Sequence, residues 1–293
     1  MSLNTVFKKK NNRKILVLKE HEIKDLNGET QVLPLLHYPL LDETGIVEHC
    51  FTTRLGGVSE DIFSTLNLSF SRGDNGSAVL ENYRRIAETF DKTVDDFICT
   101  DQTHTTTVRL VGKEERGFGV TKKKPYTDVD GLITNEPGVI LSTFYADCVP
   151  LYFVDPVHKA IGLSHSGWRG TVGRMGQKTL EAMSEAFGTT PSDVYATIGP
   201  SICQDCYEIS ADVAEHFYQE FEGHGDEILI NKGNGKYQLD LWKTNEMVLL
   251  ESGILPEHLA VTNICTCCNA DVLFSHRASM GKRGNLAAFL MLK

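Results

Sequence analysis

Apolar and polar positions alternate along this chain with two different periods, one typical of helices and one typical of strands. The helical spacing of apolar residues predicts helices over residues 79–90, 172–187 and 211–221. Short apolar runs rich in β-forming residues predict strands at 138–145, 151–154, 160–164, 194–198, 259–264 and 286–292. Because the two kinds of element interleave, the pattern predicts a fold of the α/β or α+β class.

The length and composition fit a large soluble domain. The 293 residues are 41% hydrophobic and 23% charged, which excludes disorder, collagen and coiled coil as descriptions of the whole chain. Neither an internal repeat nor a linker rich in Pro, Gly or Ser divides the sequence. We therefore expect one domain over residues 1–293, including an N-terminal segment, 1–48, to which the pattern assigns no role.

The charge balance is acidic, since 29 Lys and Arg minus 39 Asp and Glu gives −10. A dedicated binder of duplex nucleic acid usually carries a basic excess, and an acidic chain is not drawn to an anionic membrane. No apolar run reaches the roughly 18 residues of a spanning helix. The basic N-terminus has no apolar stretch behind it, unlike a secretory signal. We expect a cytoplasmic protein with reduced cysteines and no nucleic-acid or membrane partner, while its oligomeric state stays open.

Three polar segments interrupt the strand-like surroundings and supply the candidate chemistry. His104 precedes a short apolar run, Cys148 lies between two predicted strands, and His165 ends a strand that turns through Gly167 into a helix. The carboxyl end of a strand is where open sheets place ligand sites. One thiol and two imidazoles together suit Zn²⁺ with a fourth position open for water or substrate. A Cys–His nucleophile pair fits the same residues, so both interpretations stand.

Two further groups of cysteines are closely spaced. Cys203 and Cys206 form a C-x-x-C, and Cys265, Cys267 and Cys268 form a C-x-C-C. Taken together they could hold zinc or an iron–sulfur cluster, and the C-x-x-C could also be a redox pair. No histidine accompanies either group at the spacing of a zinc ribbon, which weighs against a second metal site.

Eight ordered segments, running from about residue 49 to the C-terminus, resemble the motifs of one bacterial family. They are FTTRLGGVS at 51–59, DGLIT at 130–134, ADCVP at 146–150, HSGWRG at 165–170, IGPSI at 198–202, CYE at 206–208, NICT at 263–266 and FSHR at 274–277. The family is known as polyphenol oxidase or laccase-like protein, as purine nucleoside phosphorylase with adenosine deaminase activity, and as peptidoglycan editing factor. Eight motifs in order make the resemblance specific.

The resemblance implies a zinc-dependent enzyme that acts on purine nucleosides, with a single domain of layered α/β/β/α type and mixed sheets. The implied substrates are phosphate and the nucleosides adenosine, inosine and 5′-methylthioadenosine, with deamination of adenosine as a second reaction. The implied zinc ligands are His104, Cys148 and His165, the trio that residue chemistry also indicates. The chain departs from the usual motifs at Tyr145, where Thr is common, and at Ser166, where Ala is common. A Ser166 hydroxyl near the metal would bear on substrate preference.

The two reactions need further groups. Deamination needs a proton shuttle, for which Asp147 beside Cys148 is the candidate. Phosphorolysis needs guanidinium or backbone donors for phosphate, and the candidates are Arg54, Arg169 and Arg277. Arg54 is the first choice, because Gly56 and Gly57 permit a close backbone approach.

Three other functions stay open. A hydrolase or amidase could use Cys148 as nucleophile with His165 or His104 as base, and peptidoglycan precursors would be its substrates. A phenol oxidase would depend on copper instead of zinc, although the ten histidines contain no His-x-His pair. A binding module without turnover would use the trio only as a structural site.

Overall fold

The computed structural model describes residues 7–293 of the chain. Residues 1–6, the start of the predicted N-terminal segment and of its basic N-terminus, lie outside the described residues. No helix within 7–293 combines the length and apolar composition needed to cross a bilayer.

Two six-stranded mixed sheets dominate the described residues. The first sheet has, in spatial order, β1 (Val17–Lys24), β2 (Thr30–His37), β3 (Val47–Thr52), β15 (Leu286–Leu292), β7 (Ile140–Tyr145) and β4 (Phe97–Cys99). The second has β14 (Leu259–Val261), β10 (Tyr195–Ile198), β8 (Val149–Asp155), β9 (Ala160–Ser166), β6 (Gly131–Thr134) and β5 (Val108–Leu110). A small third sheet has β11 (Glu208–Ser210), β13 (Lys236–Leu239) and β12 (Leu229–Gly233).

The α-helices of the described residues lie between these strands in the sequence. They are α1 (Pro39–Asp42), α2 (Gly76–Glu88), α3 (Trp168–Val172), α4 (Met175–Phe187), α5 (Ala211–Glu220), α6 (Gly225–Ile228) and α7 (Leu241–Glu251). Asn75 caps α2 by accepting hydrogen bonds from two backbone N–H groups of its first turn.

The two large sheets pack face to face, and helices cover their outer faces. Strand β8 shows why, because it is buried on both sides: Tyr152 faces the first sheet, while Leu151 and Phe153 face the helices. On the far side of the first sheet, Tyr83 and Ile86 of α2 pack on that sheet's other face. The order of layers is helix, sheet, sheet, helix, which confirms the predicted layered α/β fold.

The sequence-based predictions are confirmed for the central strands and for helices α2 and α5. One predicted helix, 172–187, is wrong in its boundary: α3 ends at Val172, and α4 begins at Met175. Arg174 between them adopts a left-handed conformation, φ +57°, which a continuous helix does not permit. The N-terminal segment contributes the β1–β2 hairpin, which adds two strands to the first sheet. A single-domain organisation stays a prediction, which the core shared by the two sheets favours.

Candidate active site

The predicted trio converges at one end of the second sheet. Cys148 lies where the chain leaves β7 and enters β8, and so passes from one sheet to the other. His165 lies in the neighbouring strand β9, and His104 lies on the loop between β4 and β5. The Cys148 Sγ is 3.8 Å from His104 Nε2, and the two imidazole rings are 4.9 Å apart between centroids. One donor atom from each residue lies within 4.8 Å of the other two.

A buried carboxylate fixes the orientation of His165. The Nδ1 of His165 lies 2.7 Å from Asp130 Oδ1, and both side chains are buried. Asp130 immediately precedes β6, which pairs with β9, so the sheet itself holds the two side chains together. With Nδ1 engaged, the imidazole presents Nε2 to Cys148. Asp130 was not among the predicted site residues, although the DGLIT motif contains it.

The same carboxylate shapes the loop that carries His104. Asp130 accepts backbone N–H hydrogen bonds from Thr103, His104 and Thr105 at 3.0, 3.2 and 3.0 Å. Within this loop His104 adopts a left-handed backbone conformation with φ +67°, which is strained for a residue with a Cβ. Asp130 therefore positions both imidazoles of the trio.

Gly167 leaves the room that the side chains of His104 and Cys148 need to lie close together. A Cβ built at this position would lie 2.8 Å from His104 Cδ2 and 3.1 Å from Cys148 Sγ. Any side chain here would push the two candidate ligands apart, so the glycine of the HSGWRG segment is needed for close approach.

Cys148 and His165 influence each other's ionisation, and His104 adds to the effect on Cys148. Burial alone would raise the pKa of the Cys148 thiol, but the imidazoles of His165 and His104 outweigh it and lower this pKa to about 6. For His165, burial lowers the pKa, but the Cys148 thiolate and Asp130 raise it to about 9. Without a metal, the geometry therefore favours a thiolate–imidazolium pair at neutral pH.

His104 and Cys148 line a cavity of about 280 Å³, while His165 is buried outside its lining. Its apolar walls come from Trp168, Ile202, Tyr207 and Leu241, and its cationic wall comes from Arg169, Arg277 and Arg283, with His276 beside them. Arg169 and Arg277 were predicted from the sequence, whereas His276 and Arg283 were not. The FSHR segment was the available signal for His276, whereas no signal in the sequence marked Arg283.

The three arginines of the wall differ in how much of the guanidinium is free. Arg169 stacks at 4.3 Å on the Trp168 ring, and no hydrogen bond to its guanidinium is found within residues 7–293. Arg277 donates to the carbonyl oxygens of Cys206 and Glu208 at 3.2 and 2.9 Å. Arg283 donates to Asn285 and Gly284, but its buried Nε has no partner. Arg169 and Arg283 thus retain donors for an anion.

Arg54, the first choice for phosphate, does not line this cavity. Its Nε donates to the Ser64 carbonyl at 2.7 Å and its Nη1 to the Ala270 carbonyl at 3.0 Å. The guanidinium also lies 4.6 Å from the centre of the Phe274 ring. These contacts join the 51–59 segment to the C-terminal loop, so the role that the structure gives to Arg54 is a fold contact.

Asp147 lies beside the trio with both carboxylate oxygens engaged. Oδ1 accepts from the Thr266 hydroxyl at 2.6 Å, and Oδ2 accepts from the Arg277 N–H at 2.7 Å. The backbone of Asp147 has φ +91°, a conformation that these hydrogen bonds help to hold. The contacts favour a positioning role next to Cys148, and the shuttle role stays a prediction.

Ser166 points away from the cavity. Its hydroxyl is 3.0 Å from both Thr171 Oγ1 and Asn245 Oδ1, in the buried contact between α3 and α7. The expectation of a Ser166 hydroxyl near the metal is therefore wrong. Tyr145, the other departure from the usual motifs, packs against His165 with ring centroids 5.6 Å apart.

The donor set fits a metal ion. Two imidazole nitrogens and one thiol sulfur converge, the His165 tautomer is fixed by Asp130, and the cavity leaves a side open for a further ligand. The same donors also suit copper, so the geometry identifies a candidate metal site without choosing its metal.

Three comparisons relate the chain to known proteins. The family model described as "Multi-copper polyphenol oxidoreductase laccase" matches residues 48–293. The "Purine nucleoside phosphorylase YlmD" of Bacillus subtilis (strain 168) is 36% identical over 244 residues, covering 83% of this chain and 87% of that protein. The "Adenosine deaminase RL5" of an unknown prokaryotic organism is 32% identical over 232 residues, covering 79% of this chain and 88% of that protein.

A solved structure has the same fold. The crystal structure of the Bacillus licheniformis hypothetical protein YfiH superposes with a TM-score of 0.84 at 31% identity, covering 88% of this chain and 96% of that chain.

Proposed function

The chain belongs to the multi-copper polyphenol oxidoreductase laccase family, and we propose that it is a zinc-dependent purine nucleoside enzyme. Its reactions are phosphorolysis of adenosine, inosine and 5′-methylthioadenosine and deamination of adenosine, at one metal site. The names of the relatives, a purine nucleoside phosphorylase and an adenosine deaminase, support this proposal. The observation that carries it is the His104–Cys148–His165 trio, of which His104 and Cys148 line a cavity where Arg169 and Arg283 retain donors for an anion.

His104, Cys148 and His165 hold the zinc in this proposal. A zinc ion supplies a Lewis acid that stabilises developing negative charge and makes water more acidic. The thiolate favours zinc over Mg²⁺ or Ca²⁺, which prefer oxygen ligands. His165 would bind the ion through Nε2, because Asp130 accepts a hydrogen bond from Nδ1–H and so fixes which ring nitrogen is available.

The other walls bind the substrates. A cavity of about 280 Å³ lies near the small end of the range for small-molecule pockets, which suits a nucleoside. Trp168 and Tyr207 line the cavity with aromatic surface against which the purine would pack. Arg169 and Arg283 hold phosphate for its attack on the sugar carbon of the glycosidic bond, after which the purine leaves as an anion or takes up a proton. Arg277 positions Asp147 through its backbone N–H.

The test is chromatography of adenosine incubated with purified protein, with and without phosphate. We expect adenine only when phosphate is present, and inosine in either condition. Cys148→Ala should abolish both products, whereas Cys267→Ser, a matched cysteine outside the trio and the cavity lining, should retain them. No product from folded, zinc-loaded wild type would overturn the proposal.

A second candidate is a cysteine hydrolase or amidase acting on peptidoglycan precursors. The specific observation in its favour is the Cys148 thiol, 3.8 Å from His104 and with its pKa lowered to about 6, beside the buried His165–Asp130 pair. This candidate predicts turnover that chelators leave unchanged and a covalent adduct on Cys148, detectable by peptide mass spectrometry. Chelator-sensitive nucleoside turnover without such an adduct would exclude it. Phenol oxidation that requires added copper would instead favour the oxidase interpretation.

A further inference from the structure

Four cysteines outside the cavity come together at the β14 edge of the second sheet, at the same end of its strands as the trio. Cys203 and Cys206 lie on the turn that follows β10, and Cys265 and Cys268 lie on the turn that follows β14. Strands β10 and β14 are parallel neighbours, and a parallel bridge between Ser201 and Cys265 continues their pairing. Because parallel strands end at the same edge of a sheet, the topology brings two C-x-x-C turns side by side.

The sulfur atoms have the spacing of ligands that share one ion. One Sγ from each of the four cysteines lies within 4.8 Å of the others, and the Sγ atoms of Cys206 and Cys268 are 3.5 Å apart. Tetrahedral zinc with bonds of about 2.3 Å separates its sulfur ligands by about 3.8 Å. Cys267, between two members of the group, is not part of it.

The surroundings of the sulfurs suit thiolates. The Sγ of Cys265 accepts backbone N–H hydrogen bonds from Cys203 at 3.3 Å and from Cys268 at 3.4 Å. Such N–H donors stabilise sulfur that carries negative charge, as in the outer shell of a metal centre. The Lys10 ammonium, which donates to Asp205 at 2.8 Å, also interacts electrostatically with Cys203 and Cys268.

We propose that Cys203, Cys206, Cys265 and Cys268 bind one structural zinc ion, separate from the metal of the cavity. All four thiols are free, and Cys203 and Cys265 are buried while the other two are partly exposed, so the site is closed rather than catalytic. An iron–sulfur cluster fits less well, because its thiolates bind different irons and lie farther apart than thiolates on one ion.

The zinc would fasten three segments that support the active site. The turn after β10 donates from the Ile202 N–H to the Asp147 carbonyl at 2.9 Å, and Thr266 of the second turn donates to the Asp147 carboxylate. The N-terminal segment joins them, because Asn269 exchanges two hydrogen bonds with the backbone of Lys8. The ion would thus stabilise the neighbourhood of Cys148 from outside the cavity.

The test measures zinc per chain in Cys148→Ala protein, which lacks one ligand of the metal proposed for the cavity. Cys148→Ala protein should retain about one zinc per chain by elemental analysis, and adding Cys206→Ser with Cys268→Ser should remove it. Adding Cys267→Ser instead is the matched control and should leave the zinc in place. This background makes the result independent of the proposed nucleoside activity.

A second measurement does not require the serine variants to fold. In Cys148→Ala protein, the four thiols should resist alkylation by iodoacetamide until a strong chelator is added, as read by peptide mass spectrometry. The release of zinc should then coincide with alkylation of Cys206 and Cys268, the two partly exposed cysteines. Folded Cys148→Ala protein that takes up no zinc, carries a Cys206–Cys268 disulfide or contains iron at these residues would overturn the proposal.

Discussion

Replacing Asp130 by an asparagine tests whether one buried carboxylate organises the candidate metal site. Oδ1 of Asp130 receives the His165 Nδ1 and His104 backbone donors, while Oδ2 receives the backbone N–H groups of Thr103 and Thr105 and the Thr105 hydroxyl. An amide has only one oxygen. Whichever way the substituted side chain turns, its NH₂ group faces two N–H donors that the carboxylate oxygen had satisfied.

The expected loss of unfolding free energy follows from those two unsatisfied donors. Each donor left without an acceptor costs about 1–3 kcal/mol, and the lower half of that range applies because water reaches the exposed loop that carries His104. We expect Asp130→Asn to lower the free energy of unfolding by roughly 2–3 kcal/mol. It should also lower metal affinity by about 10- to 100-fold, because a neutral amide, which can present either its oxygen or its NH₂ group to Nδ1, no longer fixes the tautomer of His165.

The assays are urea unfolding and chelator competition for bound metal. Asp155→Asn is the matched control, because this buried carboxylate also accepts from a histidine, His158, and from two backbone N–H groups. It lies at the far end of β8, about 23 Å along the strand from Cys148. The control should lose similar stability but bind metal normally. Unchanged metal affinity in Asp130→Asn would refute the reasoning.

Three further predictions concern other residues. Gly167→Ala should reduce metal affinity at least about tenfold, because its Cβ would crowd His104. The control is Gly170→Ala, whose Cβ would meet nothing nearer than 3.5 Å and which should bind metal normally. Equal metal affinities of the two variants would contradict this prediction. Burial lowers the pKa of His37 to about 2, so this residue stabilises the fold above its unfolded pKa of about 6.5 and loses that contribution as pH falls. From pH 6.5 to 5, unfolding free energies should therefore fall about 2 kcal/mol more in wild type than in His37→Gln, and parallel profiles would exclude the effect. Arg54→Ala should lower the unfolding free energy by about 1–3 kcal/mol and leave KM for phosphate unchanged, because the Arg54 guanidinium donates to two carbonyls outside the cavity. A raised KM would instead indicate that Arg54 binds phosphate.

The local patterns that predicted the fold are those that tertiary contacts reinforce. The β8 run is apolar on both faces because a sheet covers one side and helices cover the other, so its sequence stands out. The break between α3 and α4 was missed, because Arg174 has an ordinary helical propensity and its left-handed conformation is set by its surroundings. The edge hairpin β1–β2 was also missed, since its strands are only partly buried and mix polar with apolar residues.

The sequence by itself determined the chemistry of the candidate site: a thiol and two imidazoles at strand ends, and cysteines in two close groups. Residue type sets which metals and reactions are accessible, and this information is local. Only the tertiary structure decided which of these groups meet. It joined Asp130 to His165 through the pairing of β6 with β9, and it placed Arg283 in the cavity while keeping Arg54 outside. It also set two distant C-x-x-C turns side by side, because the ends of parallel strands coincide in space whatever their separation in the chain.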